Sequence, residues 1–388
     1  MNMKARTTIN MPAPAARGII SALILICLIA SIPASAPAFA SASTGAAFPI
    51  EIYLNGSRLV SDEPPVLKDD RTFVPIRVIE EALGFEVSYE DGVVTMRHSR
   101  SGANIVMEVG VPSAAVNGQA VDLPVPAFIE NGRTMAPVRF ISEAMDCHVD
   151  WLPGYNIPDR VVIYCPYPTD TCGGKAQITS RIASKSWELD NEFYGTVTIG
   201  YKAIVPILAI PGQEGLAIKL NLIFIGMSDD TVKYLENAYA VQLMSGIDET
   251  YGIFDDYLYF VVNDDEHLLS ININKDFYQG DAYWMPYIIS YNLDLEKGIL
   301  LALKDIFKPG ADYENILLQR MAAMCRNDPR EYEDVDEPDS LENGSFYISD
   351  GDLVLYYHPY KLSNLARGFV EFRIPLASLS EYIRDEYL

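Results

Sequence analysis

Two stretches of the chain share one spacing of apolar and polar positions. In "RTFVPIRVIEEALGFEV" (71–87) the apolar residues Ile76, Ile79 and Leu83 fall at i, i+3 and i+7. In "RTMAPVRFISEAMDCHV" (133–149) Val138, Ile141 and Met145 repeat that face. This period predicts a short amphipathic helix in each copy. Thr72, Phe73 and Val74 read as a strand leading into the first helix, and Pro75 suits a helix start, where a missing N–H costs nothing. Gly84 is placed to end that helix in a left-handed cap, with Asp146 at the same offset in the second copy. Asn55-Gly56 and Asn117-Gly118 also lie 62 residues apart, and Asn-Gly is a strong two-residue hairpin signal because both residues tolerate positive φ. Each helix then feeds a strand pair, "EVSYEDGVVTMRH" turning at Asp91-Gly92 and "HVDWLPGYNIPDRVVIYC" through a longer loop. The pattern is hairpin, strand, helix, hairpin, written twice, about 53–100 and 114–165, around one shared core.

Beyond residue 165 the period changes. Residues 166–180 ("PYPTDTCGGKAQITS") are rich in Pro, Gly, Thr and Ser and read as a linker. "TVTIGYKAIVPILAI" and "GLAIKLNLIFI" are apolar, β-branched runs and read as strands. "TVKYLENAYAVQLMSG" carries Val232, Leu235, Ala238 or Tyr239, and Leu243 at helical spacing, and strand character resumes in "DYLYFVVN" and "HLLSININKDF". "YIISYNLDLEKGILLALKDIF" predicts a hairpin turning at Glu296-Lys297-Gly298 and ending in a helical turn. "YENILLQRMAAMC" predicts a helix with Ile316, Met321 (or Arg320) and Met324 on or near its buried side. "FYISDGDLVLYYHPY" predicts a hairpin turning at Asp350-Gly351, and "FVEFRIPLASL" a last strand entering a terminal helix. The fold class is therefore α+β, with antiparallel sheet in the second part.

The motif "NG…RTFVPIRVIEEALGFEVSYE" resembles the N-terminal stalk domain of copper amine oxidases, over residues 48 to 165. The resemblance implies an α+β module and no chemistry of its own, because copper and the quinone tyrosine of those enzymes sit in another domain. That chemistry needs a paired and a third histidine and a Tyr in an Asn-Tyr-Asp/Glu context. This chain holds only His98, His148, His267 and His358, none paired, and lacks the tyrosine motif. Amine oxidation is excluded on ligand count. Residues 181–388, best over 278–383, are similar to the C-terminal domain shared by certain peptidoglycan deacetylases and a lysozyme-sensing anti-sigma factor. The matching residues are Gly280-Asp281-Ala282, "YNLDLEKG", "LKDIF", "YHPYKLSNLARG" and "IPL". Tyr283 stands where those relatives usually carry histidine. The resemblance implies an extracellular recognition module, in one branch for lysozyme.

The first forty residues change the cellular picture. Lys4, Arg6 and Arg17 precede the apolar run 18–32, and Ala38-Phe39-Ala40 follows, the layout of a cleaved secretory signal peptide. The run is also shorter than the roughly 20 residues that span a bilayer. The expected location is extracellular and cell-wall associated. Formal net charge is −24, and removing three basic residues with the signal leaves −27. Residues 41–165 contribute −8 (9 basic, 17 acidic) and residues 166–388 contribute −19 (17 basic, 36 acidic). Such a balance repels nucleic acid and favours cationic partners. Cys147, Cys165, Cys172 and Cys325 remain after cleavage, an even count that permits disulfides in an exported chain. Cys147 and Cys165 flank a hairpin while Cys165 and Cys172 close a short loop, so more than one connectivity stands. No Cys-x-x-Cys spacing supports zinc.

Motifs for chemistry are scarce. His-Glu-x-x-His, the Gly-x-Ser-x-Gly elbow and the phosphate loop are absent from the sequence. Carboxylates abound too freely for any pair to mark a glycosidase. "REYEDVDEPDSLEN" (330–343) lacks the Gly and terminal Glu of a calcium loop and reads as a solvated acidic arm. Arg71, Pro75, Arg77, Arg133, Pro137 and Arg139 are repeated at one topological position, which favours a scaffold role over anion binding. "AYWMPY" (282–287) and "YYHPY" (356–360) cluster aromatics with proline, so Tyr283, Trp284, Tyr357, Pro359 and Tyr360 are the candidate partner-binding residues, with strand packing as the alternative. No catalytic residue or cofactor is assigned. The expectation is an exported, non-catalytic envelope binding protein whose acidic C-terminal part meets a cationic protein such as lysozyme, or a wall polymer. The alternatives are an envelope glycan hydrolase with dispersed carboxylates and a purely architectural spacer.

Overall fold

The computed structural model describes residues 50–152, 158–171, 174–191, 195–227, 253–278 and 284–388. The molecule is mostly β, with few helices and several antiparallel sheets. In the N-terminal lobe, β1 (Glu51–Leu54), β2 (Ser57–Leu59), β3 (Val66–Lys68) and β4 (Arg71–Pro75) lead to α1 (Ile76–Leu83). Then come β5 (Phe85–Glu90), β6 (Val93–His98), β7 (Asn104–Glu108), β8 (Ser113–Val116), β9 (Gln119–Asp122), β10 (Phe128–Glu130), β11 (Arg133–Pro137) and α2 (Val138–Glu143), and finally β12 (His148–Leu152) and β13 (Arg160–Tyr164). Strands β1, β3 and β4 recur 62 residues later as β8, β10 and β11. At the centre β4 pairs antiparallel with β11 in the register Met135↔Pro75, Ala136↔Val74, Pro137↔Phe73. A shift of 62 maps this register onto itself, with Val74 opposite Ala136. Both helices cover the core with Ile76, Ile79, Val138 and Ile141, all buried. Pro75 and Pro137 end their strands and stand as N-caps rather than as first helical residues. Gly84 (φ 72°) and Asp146 (φ 60°) both adopt the left-handed conformation.

The symmetry breaks at the sheet edges. On one side β5, β6, β7, β8 and β9 form a five-stranded meander. On the other, β13 pairs directly and in parallel with β1 in the order β12-β13-β1-β2. Strand β13 is also where the second lobe begins. Val161 and Ile163 point into the first core, whereas Val162 and Tyr164 point into a second core with Tyr259, Ala203 and Leu220. Period-2 alternation thus gives one strand to two cores.

The 166–180 stretch is not a free linker. It contains β14 (Thr169–Thr171), the edge of a seven-stranded sheet, and the start of β15 (Ala176–Asn191), paired beside it. That sheet continues with β16 (Gly195–Ala209), β17 (Ile253–Asp264), β18 (Leu268–Tyr278), β19 (Trp284–Asp294) and β20 (Ile299–Leu300), antiparallel except for β16 with β17. Burial of Ala176 and Ile178 overrides the turn-like composition. "GLAIKLNLIFI" likewise folds as a helix, α3, described over residues 214–227. Its buried residues Ala217, Leu220 and Phe224 sit at i, i+3 and i+7, a period that the β-branched composition masked. The expected helix at 231–246 lies outside the described residues.

The remaining chain covers the far end of this sheet. α4 (Leu303–Ile306) and α5 (Tyr313–Asn327) are followed by a three-stranded meander of β21 (Gly344–Ser349), β22 (Asp352–Tyr357) and β23 (Val370–Pro375). The buried stripe of α5 centres on Leu317 and Met321, with Ile316 and Met324 half-buried beside it. The terminal helix reduces to 3-10 turns at Leu376–Leu379 and Asp385–Tyr387. Among the described residues no helix is long and apolar enough to cross a membrane.

Candidate recognition site

The acidic stretch after α5 is pinned to the lobe rather than free. The Tyr332 ring stacks on Phe372 at 5.0 Å and its hydroxyl donates to the Glu371 carbonyl at 3.2 Å. The Asp336 N–H donates to the Leu362 carbonyl at 2.8 Å, and Arg326 pairs with Glu337 at 3.3 Å. Held this way, Asp328, Glu331, Glu333, Asp334, Asp336, Glu337, Asp339 and Glu342 are all exposed within one short segment. The expected arm is therefore an ordered surface, because the half-buried Tyr332 and backbone groups anchor it every few residues. Among the described residues no group of three or more His, Cys, Asp or Glu converges to hold a metal ion.

Beside the end of this segment is a groove of about 360 Å³ between the start of α5 and β21–β22. Phe346, Leu303 and Leu355 supply its apolar lining, and Tyr313, Glu314 and Glu342 its polar lining. Tyr313 stacks on Phe307 at 5.1 Å, which fixes its ring. Burial, then the neighbouring Glu314 carboxylate, push the Tyr313 phenol up, so it stays a neutral donor at physiological pH. Much of the lobe's positive charge is already engaged. Lys297 meets Glu386 (2.9 Å) and Asp294 (3.0 Å), and Arg373 meets Glu371 (3.7 Å). Arg384 donates to the Phe307 carbonyl and Arg320 to the Ser378 carbonyl. The surplus of carboxylates faces solvent. None of Tyr313, Glu314, Glu342 and Phe346 was singled out from sequence. The one signal for them was "DYEN", an Asp-capped helix start followed by an acid.

The aromatic candidates are placed differently. Tyr357 is a core residue, 1% exposed, with its hydroxyl donating to the Ser340 carbonyl at 2.9 Å. As the last residue of β22 its side chain falls on the face that packs against Phe372, so it cannot meet a partner. Pro359 is half-buried, and Tyr360, at positive φ (67°), is 61% exposed. Trp284 opens β19 opposite Tyr278. Tyr283 and the side chain of Trp284 lie outside the described residues. The His358 ring is packed between Tyr287, Tyr356 and Phe369 at 5.3–5.7 Å. Burial, only partly offset by a hydrogen bond to the Ile288 carbonyl, pulls its pKa down, so it is a neutral packing residue.

The repeated arginines meet carboxylates rather than carbonyls. Arg133 pairs with Asp62, Arg77 with Glu81 (3.1 Å) and Arg139 with Glu143 (3.9 Å). Arg71 makes no such contact among the described residues. Cys147 and Cys165 form a disulfide and Cys325 is a free, half-buried thiol. Cys172 lies outside the described residues.

Two parts of the chain match known domain types. Residues 53–157 match the copper amine oxidase N-terminal domain, and residues 304–377 match a protein family of unknown function, DUF3298. The chain thus carries a copper amine oxidase N-terminal-like domain followed by a DUF3298 domain. Among solved structures, it is similar to a DUF3298 family member from Bacteroides fragilis, at 20% identity and a TM-score of 0.43, over 56% of this chain and 96% of that one. It is also similar to a DUF3298 family protein from Pseudomonas aeruginosa PAO1, at 13% identity and a TM-score of 0.36, over 54% and 96%. No curated protein matches the chain.

Proposed function

We propose that this is an exported, non-catalytic recognition protein of the cell envelope, whose C-terminal lobe binds a cationic protein. The observation that carries the reading is the pairing of an apolar groove bearing Glu314 and Glu342 with the adjoining segment of exposed carboxylates. A lysine or arginine side chain of a partner could lay its stem on Phe346 and Leu355 and place its charge between the two acids. The surrounding negative field would steer such a partner and raise its association rate. Likeness of the sequence motifs to a lysozyme-sensing module makes a basic lysozyme the first partner to test, and the signal-like N-terminus supports an extracellular setting.

The test is calorimetry of the chain from residue 41 with a basic lysozyme at low and moderate salt. Binding is expected to weaken with salt, and about tenfold or more in Glu314→Gln/Glu342→Gln, while Tyr360→Ala reports whether the exposed aromatic belongs to the same surface. Salt-insensitive binding, or binding unchanged in the double variant, would remove the acidic groove from the contact. No binding to lysozyme or to purified wall polymer would leave the spacer reading in its place.

A further inference from the structure

The 62-residue offset sets matched residues in matched places, and in one place only the anion is missing. In the first half Arg133 donates to Asp62. The Asp62 carboxyl is held below its ordinary range by that hydrogen bond and by the charges of Arg133 and Arg77. Shifting each residue by one repeat turns Arg133 into Arg71, Arg77 into Arg139 and Asp62 into Pro124. Those three residues line a single groove of about 580 Å³, a volume suited to a small organic ligand. Pro124 offers no charge, Arg71 has no partner among the described residues, and Arg139 reaches only Glu143, as Arg77 reaches Glu81 in the other half. Trp151, Phe140, Leu67 and Val121 give the groove apolar walls. Leu67 is 53% exposed, so this apolar surface is open to a ligand.

We infer that this groove binds a small organic monocarboxylate, with Arg71 and Arg139 holding the carboxylate where Asp62 lies in the other half and Trp151 and Phe140 contacting the apolar body. A guanidinium suits a carboxylate because its planar donors match both oxygens. The charges in the groove set the class of acid. Glu143 is engaged by Arg139, and Asp150 by Lys202 (2.9 Å) and His148 (3.0 Å). Asp70 and Asp122 also line the groove with no cation paired to them among the described residues. They disfavour a ligand with several negative charges, so a single carboxylate is selected.

The test uses the full chain in calorimetry with 4-phenylbutyrate and its neutral amide, 4-phenylbutyramide. The acid is expected to bind at one site, and the amide at least tenfold more weakly. Arg71→Ala should weaken the acid tenfold or more. Pro124→Asp, which installs the internal carboxylate of the other half, should abolish its binding. Asp62→Ala lies outside the groove and should leave the affinity for the acid unchanged, at a stoichiometry of one. No binding of the acid, equal binding of acid and amide, or an affinity unchanged in both Arg71→Ala and Pro124→Asp would overturn the inference.

Discussion

At the scale of single residues, Asn55-Gly56 and Asn117-Gly118 are the same dipeptide with different duties. Both glycines hold positive φ (82° and 81°), but a Cβ on Gly56 would fall 2.9 Å from the Tyr259 ring and the Val261 nitrogen. Gly118 has nothing within 4 Å. The Val261 N–H also donates to the Gly56 carbonyl at 2.9 Å. Gly118→Ala is expected to cost about 1 kcal/mol, the left-handed strain alone, and Gly56→Ala roughly 3 kcal/mol once the clash is added. Urea denaturation of the two variants measures the difference, and equal losses would argue against the close approach of the lobes. Asp150 is the second residue-scale case. Burial raises its pKa, but the bond with His148 and the charge of Lys202 outweigh this and bring it to about 2. A carboxylate depressed from its ordinary 3.8 contributes stability above that pH and loses it as pH falls toward 2. The contribution is on the order of 2 kcal/mol. The stability gap between wild type and Asp150→Asn should therefore be widest near neutrality and close on acidification. A gap that is flat across that window would rule this assignment out.

At the scale of elements, the disulfide and β13 act together. Cys147 precedes β12 and Cys165 follows β13, so the bond closes the hairpin of these two strands over a separation of 18 residues. Cys165 also donates its N–H to Asn55 Oδ1 at 2.8 Å, and the same oxygen accepts from Ser180 at 2.7 Å. Cross-linking a loop of that length removes unfolded-state entropy equivalent to about 3 kcal/mol. Cys147→Ser/Cys165→Ser should lose roughly 2–4 kcal/mol, seen as a lower urea midpoint that no longer responds to reductant. Which cysteines pair was open in the sequence because two spacings were acceptable, and the antiparallel register of β12 on β13, with His148 opposite Tyr164, decided it by setting Cys147 beside Cys165. In contrast the turns at Asp91-Gly92 and Asp350-Gly351 were readable directly, since left-handed backbone is a local requirement.

At the scale of the molecule, the lobes share material instead of meeting as separate beads. Tyr164 and Val162 of the first lobe complete the core of the second, the Tyr164 hydroxyl donates to the Tyr259 carbonyl, and Lys202 bridges to Asp150. A cooperative unit results, so thermal unfolding should show one transition at matched temperatures for probes in both lobes. Two resolved transitions would mean that the shared strand does not couple them.

The sequence by itself determined the repeat of 62 residues, the Asn-Gly and Asp-Gly turns, the amphipathic helices α1 and α2, and the excess of acid in the second half. These depend on contacts within a few residues or on composition, so a reading of local period suffices. Only the tertiary structure decided that the Pro/Gly/Ser-rich stretch 166–180 joins a sheet, that "GLAIKLNLIFI" is a helix, that Tyr357 is buried, and that Arg71 faces a groove while Arg133 is answered by Asp62. Each of those outcomes turns on which distant chain lies alongside, and local pattern carries no record of that.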